Sequence, residues 1–158
     1  MRIMIFMEGT TFYTKPLLFL FTKHGYKPIG NAVKIVHALY DHGHEIYLCS
    51  YVRKARYPFI KSVVDFYGMK YTAILCRDRG QTYREIVEQL KPNVLIEDDC
   101  KSIGGTRACC ITNVKEEIRK EIRSIIVPEF TGIDNIIIPD KTAVCSHAAA
   151  RSSFPVSV

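Results

Sequence analysis

The chain has 158 residues, 47% of them hydrophobic, with nine Tyr, eight Phe and a formal charge of +6. That length supports one complete core, and the apolar share excludes a disordered chain. It also excludes a membrane span, since the longest apolar run, Pro16 to Phe21, stops after six residues at Thr22 and Lys23. The first residues lack a signal-peptide pattern, because Arg2 stands alone and Glu8 interrupts the apolar run, so a soluble, cytoplasmic protein is expected. The positive charge favours acidic partners: phosphorylated small molecules, phosphate or nucleic acid. Charge alone does not make the chain a nucleic-acid binder, and oligomeric state is not legible.

Six cysteines, Cys49, Cys76, Cys100, Cys109, Cys110 and Cys145, read as reduced packing residues. No C-x-x-C spacing points to zinc, and on a strand the adjacent Cys109 and Cys110 would face opposite ways.

In chain order, Arg2 to Phe6 is a continuous apolar run ending near Gly9-Thr10, as a buried parallel strand does. Asn31 to Tyr40 carries Ala32, Val33, Ile35, Val36 and Leu39 on a helix face that ends before Gly43. Glu45 to Cys49 is a second strand closing on Ser50, and Pro58 to Tyr67 a second helix with Gly68 past its end. Tyr71 to Cys76 is a third strand and Tyr83 to Leu90 a third helix, stopped by Lys91-Pro92. Asn93 to Glu97 is a fourth strand running into Asp98-Asp99. Ala108 to Thr112 reads as a short strand, Lys115 to Ile122 as a short amphipathic helix and Ser124 to Val127 as the last strand. Residues 1–140 are expected to form a single domain and 141–158, small and polar, a loose tail.

Repeated strand–helix–strand units of this length demand right-handed crossovers. The expected fold class is therefore α/β, a doubly wound parallel sheet with helices on both faces. Ligands of such sheets bind beyond the carboxyl ends of the strands. That rule selects Phe6 to Thr11, Ser50 to Arg56 and Glu97 to Gly105.

The residues there are Phe6-Met7-Glu8-Gly9-Thr10, Ser50 after the second strand, and Ile96-Glu97-Asp98-Asp99 after the fourth. This pattern resembles the haloacid dehalogenase-like hydrolase superfamily, over about Arg2 to Pro139. The family's first loop reads acid-x-acid-Gly-Thr. The resemblance implies a Rossmann-type core and, if the site is active, magnesium-dependent phosphoester hydrolysis. It places Glu8 in the acid/base position, Gly9, Thr10 and Ser50 at the phosphate, and Asp98 and Asp99 at magnesium. The family's charge-neutralising cation would fall to Arg79 or Arg84, the best substitutes among Arg77, Arg79 and Arg84, since no Lys lies between Lys70 and Lys91. Thr11 to Ile29 is too short a segment for a folded cap domain, which leaves the site open to large substrates.

One departure changes the chemistry. Phe6 stands where the family has its nucleophilic aspartate, and a phenyl ring neither attacks phosphorus nor ligates a hard cation. The alternative to a hydrolase is thus a non-catalytic binding or regulatory protein on the same fold. Bland readings also exist. Glu8-Gly9-Thr10 is a plausible bare turn, Ser50 a cap, and Asp98-Asp99 a cap for the turn near Ser102. Three consecutive acids, Glu97 to Asp99, repel one another unless a cation compensates, which favours a metal or an arginine beside them. Arg53, Lys54 and Arg56 would attract anions or simply form a solvated loop. His42-x-His44 sits at a helix end, where capping is the expected role.

Overall fold

The computed structural model describes residues 1–15 and 22–138. The apolar run Pro16 to Phe21 and the expected tail, with Cys145 and His147, lie outside the described residues.

Among the described residues seven strands and five α-helices follow one another: β1 (Arg2–Phe6), β2 (Phe12–Thr14), β3 (Tyr26–Pro28), α1 (Ala32–Asp41), β4 (Glu45–Arg53), α2 (Tyr57–Phe66), β5 (Ala73–Arg77), α3 (Tyr83–Leu90), β6 (Val94–Asp98), α4 (Cys110–Asn113), α5 (Glu116–Arg119) and β7 (Arg123–Val127). Five of the strands form one parallel sheet in the order β5-β4-β1-β6-β7. The fold is the doubly wound α/β architecture that the strand–helix alternation implies. β2 and β3 pair antiparallel beside the sheet, within the segment expected to be too short for a cap.

The period-two alternation of a strand sorts β1 between two cores. Ile3 and Ile5 pack with Val36 of α1 and Ile60, Val63 and Val64 of α2 on one face. Met4 packs with Leu95 of β6, Ile86 and Val87 of α3 and Ile111 of α4 on the other. Both faces of β1 are thus dry, which is why its sequence runs apolar without a polar partner phase. Its neighbours are β4 on one side and β6 on the other, so the chain winds outward through β4 and β5, then returns to cross to β6 and β7. The crevice at this reversal, beyond the carboxyl end of β1, is where a doubly wound sheet leaves room for a ligand.

Two elements differ from their sequence reading. Cys109 to Thr112 is not a strand: it enters α4, a single helical turn, because the Glu97 carboxylate accepts hydrogen bonds from the Cys110 and Ile111 backbone N–H groups at 2.6 and 2.9 Å. A buried acid from β6 thereby satisfies donors that a helix start leaves orphaned. The helix expected over Lys115 to Ile122 contracts to Glu116–Arg119. His42 behaves as a helix-end residue, its Nδ1 meeting the Ala38 carbonyl at 2.5 Å.

The start of α3 carries a reciprocal cap. The Glu85 backbone N–H donates to Thr82 Oγ1, and the Thr82 N–H donates to the Glu85 carboxylate. Thr82→Ala is expected to lower stability by about 1 kcal/mol in urea unfolding, with an unchanged m-value; a change below about 0.3 kcal/mol would show that packing alone holds α3.

Candidate functional site

A cleft of about 460 Å³ opens at the carboxyl edge of the sheet. The strand ends supply Phe6 and Glu8 after β1, Tyr51 in β4, Arg77 closing β5, and Glu97 and Asp98 closing β6. Tyr83 from α3 and Phe130 from the loop after β7 complete its walls.

Glu8 is the most heavily bonded side chain there. Its Oε1 accepts from the Ser50 hydroxyl at 2.6 Å and the Tyr26 hydroxyl at 3.0 Å, and its Oε2 from the Tyr51 backbone N–H at 3.0 Å. The parallel register of β4 and β5 slips between Ser50 and Arg53. That irregularity turns Ser50 Oγ and the Tyr51 N–H toward Glu8, while Ser50 Oγ itself accepts from the Val52 N–H at 3.1 Å. Burial raises the Glu8 pKa above 4.5, outweighing the hydrogen bonds from Ser50, Tyr51 and Tyr26 that favour the anion. The Tyr26 hydroxyl is pushed upward by its own burial and by the neighbouring Glu8.

Gly9 follows with φ +82°, and a Cβ there would stand 2.6 Å from Asp98 Oδ2. Only glycine allows the first loop to touch the end of β6. Thr10, fully buried, donates from its hydroxyl to the same Oδ2 at 3.2 Å. Asp98 Oδ1 accepts from the Cys100 N–H at 2.9 Å. Asp99 turns away from the cleft: its Oδ1 takes the Lys101 N–H at 3.3 Å and the Glu129 N–H at 3.1 Å, stitching the loop after β6 to the loop after β7. The three consecutive acids accept hydrogen bonds, Glu97 and Asp99 from backbone N–H groups and Asp98 from a backbone N–H and the Thr10 hydroxyl, and among the described residues no arginine forms an ion pair with them. The turn-capping reading of Asp98 and Asp99 describes what their oxygens do.

Phe6 closes β1 with its ring against Tyr83, edge to face at 5.1 Å between centroids. Beside them lies the cation of the cleft. It is Arg77, whose guanidinium stands 4.2 Å from the Tyr83 ring centroid. Arg77 Nε and the Tyr83 hydroxyl are buried without a well-formed hydrogen bond. Arg79 and Arg84, the substitutes favoured from sequence, lie elsewhere. Arg79 lines a separate groove, and Arg84 pairs with Glu88 along α3 at 2.9 Å. The signal for Arg77 was its position directly after Cys76, still inside the strand that reaches the crevice. Ser50 is fully buried and does not line the cleft; its hydroxyl proton points at Glu8.

The donor set does not fit a resident magnesium. Phe6 removes one carboxylate, Glu8 is held by three donors and Asp98 by two, and Asp99 faces away from the cleft. Among the described residues no three His, Cys, Asp or Glu side chains converge as a metal cage. What the arrangement offers is an aromatic floor, one guanidinium and four carboxylates, Glu8, Glu97, Asp98 and Glu129.

No protein-family model matches the sequence, and no curated protein is recognisably similar to it. Solved structures do share its fold. The class C acid phosphatase from Bacillus anthracis aligns over 98% of this chain and 80% of its own, with TM-score 0.58 and 14% identity. The D,D-heptose 1.7-bisphosphate phosphatase from B. bronchiseptica, complexed with magnesium and phosphate, aligns over 82% and 93%, with TM-score 0.50 and 10% identity. The Pnkp1/Rnl/Hen1 RNA repair complex contains a chain aligned over 82% of this one, with TM-score 0.56 and 13% identity; this chain spans 43% of it. The chain thus shares its α/β fold with these structures, and the likeness is one of fold. No described helix is long and apolar enough to cross a membrane.

Two variants test the geometry. Gly9→Ala is expected to cost about 1–3 kcal/mol in urea unfolding, from the positive φ and the push on Asp98; an unperturbed midpoint would mean the loop does not need that contact. Because the Glu8 pKa is raised, its contribution to stability is full below pH 4.5 and is lost as pH rises through the folded value. The stability of the wild type relative to the non-titrating Glu8→Gln should therefore fall as pH rises above about 4.5. A gap that widens with pH would contradict the burial argument.

Proposed function

We propose that the protein binds a phosphate-bearing ligand in this cleft and does not turn it over through an aspartyl-phosphate. The observation that carries the reading is Phe6, whose ring packs on Tyr83 where the resembling family has its nucleophile, next to the Arg77 guanidinium. A phenyl group there offers no electron pair to phosphorus, whereas the Arg77 guanidinium, standing over the Tyr83 ring at the cleft, offers the planar donors suited to a phosphate.

Glu8, Gly9, Thr10 and Ser50 act in this reading as a framework. Ser50 holds the Glu8 carboxylate, Gly9 admits Asp98, and Thr10 fixes the Asp98 rotamer. Asp98 faces the cleft as an acceptor for ligand hydroxyls or for a protonated phosphate oxygen. The fold supports the choice of ligand class, since the similar structures are phosphatases and one of them holds magnesium and phosphate. It does not supply the missing attacking group. The carboxylate arrangement described above further leads to binding that needs no added magnesium.

Isothermal titration with a phosphomonoester panel, with and without magnesium, tests this directly. Binding is expected in both conditions and should weaken at least tenfold in Arg77→Ala, with no phosphate released above the uncatalysed rate. Magnesium-dependent release that disappears in Asp98→Asn and Glu8→Gln would overturn the reading and make the protein a hydrolase.

A further inference from the structure

Beyond the cleft, the bulged end of β4 leads to a second feature. Tyr51 and Arg53 are exposed and Val52 between them is buried, so both project from the same side of the strand. Arg53 is the register partner of Arg77 in β5. Two like charges directly opposite on neighbouring strands destabilise a sheet unless something anionic lies against them. Arg53, Arg77 and Arg79, with Lys54, line a groove of about 670 Å³. Asp78 is the acid in its lining, and it is taken by Lys54 at 3.0 Å. Among the described residues Arg53 and Arg79 have no ion pair. Arg77 lines both this groove and the cleft, so its guanidinium stands between the two.

The cleft half of this track is aromatic. Phe6 and Tyr83 lie at its floor, and the exposed Tyr51, Ile103 and Phe130 stand at its rim. Phe130 is held there with φ 64°, an uncommon conformation for a bulky residue, by its N–H donating to the Gly9 carbonyl at 2.8 Å. Flat apolar surface beside a row of guanidinium groups matches a ligand that alternates aromatic rings with phosphates. Unstacked bases are required, because a duplex hides its base faces.

We infer that the ligand continues out of the cleft as a single-stranded polynucleotide. One phosphate sits at Arg77, a base lies against the Tyr51 and Phe130 side of the cleft, and the next phosphates lie along Arg53 and Arg79. The inference rests on the proposed phosphate seat at Arg77 and adds the strand to it.

Fluorescence anisotropy separates the two. The probes are a mononucleotide, 5′-phosphorylated single-stranded DNA and RNA oligomers of one sequence, and inorganic polyphosphate of equal charge. Either oligomer should bind at least tenfold tighter than the mononucleotide and than polyphosphate, with a log–log salt slope of about −2 for three phosphate contacts. Arg53→Ala with Arg79→Ala should reduce that slope to about −0.7 and leave mononucleotide affinity unchanged. Tyr51→Ala should weaken the oligomers about tenfold and leave polyphosphate unaffected. A preference between the DNA and RNA arms identifies the source of the strand, and equal binding assigns the contacts to features both share. Oligomers bound no tighter than a mononucleotide that still needs Arg77 would overturn the strand and leave the seat standing. Polyphosphate binding as tightly as the oligomers would also overturn it, reducing the groove to a simple anion trap. Oligomer binding indifferent to Arg77→Ala would instead overturn the seat, and with it the track.

Discussion

The buried carboxylate of Glu8 is the junction on which the site depends. It ties together three pieces of chain at the edge of the sheet: the end of β1, the Tyr26 hydroxyl from β3, and the slipped segment of β4 at Ser50 and Tyr51. A carboxylate in such surroundings must be well satisfied, because leaving one donor out would strand a buried charge. The register slip in β4 follows from that need. It also has a consequence further along, since it brings Arg53 opposite Arg77 and sets the spacing of the basic groove.

The same logic governs the acids after β6. Glu97, Asp98 and Asp99 would repel one another in a bare strand end, yet each is directed to different hydrogen-bond donors. Glu97 starts α4, Asp98 closes onto Cys100 and Thr10, and Asp99 ties the loop at Glu129. Hydrogen bonds to N–H groups do the work that a cation would otherwise do. Beside these acids the cleft presents the Arg77 guanidinium and the Phe6–Tyr83 aromatic pair, on which the proposed phosphate seat rests.

Much of this was legible in the residues. The apolar runs of β1, β4 and β6 mark strands buried on both faces, and the crevice rule then picks out their ends without any contact being known. The expectation that the attacking group is lost rests on the identity of Phe6 alone. The misread elements share one physical cause. Cys109 to Thr112 has the composition of a strand, and its helical turn is set by Glu97, a residue twelve positions or more earlier that local propensity does not see. Ser50 has the right position for a phosphate hydroxyl, but the direction of its proton is decided by Glu8 across the sheet. Arg77 was passed over for Arg79 and Arg84 because chain order does not say where a strand ends, and one residue decides whether a guanidinium reaches the cleft.

The central claim concerns what occupies the cleft and what holds it. A crystal structure of the protein grown with both magnesium and phosphate tests it most directly. The account predicts phosphate density against the Arg77 guanidinium, with Phe6 still packed on Tyr83 and Ser50 still bonded to Glu8. A metal ion bridging Glu8 and Asp98, with the phosphate moved onto Ser50 and Phe6 displaced, would contradict it.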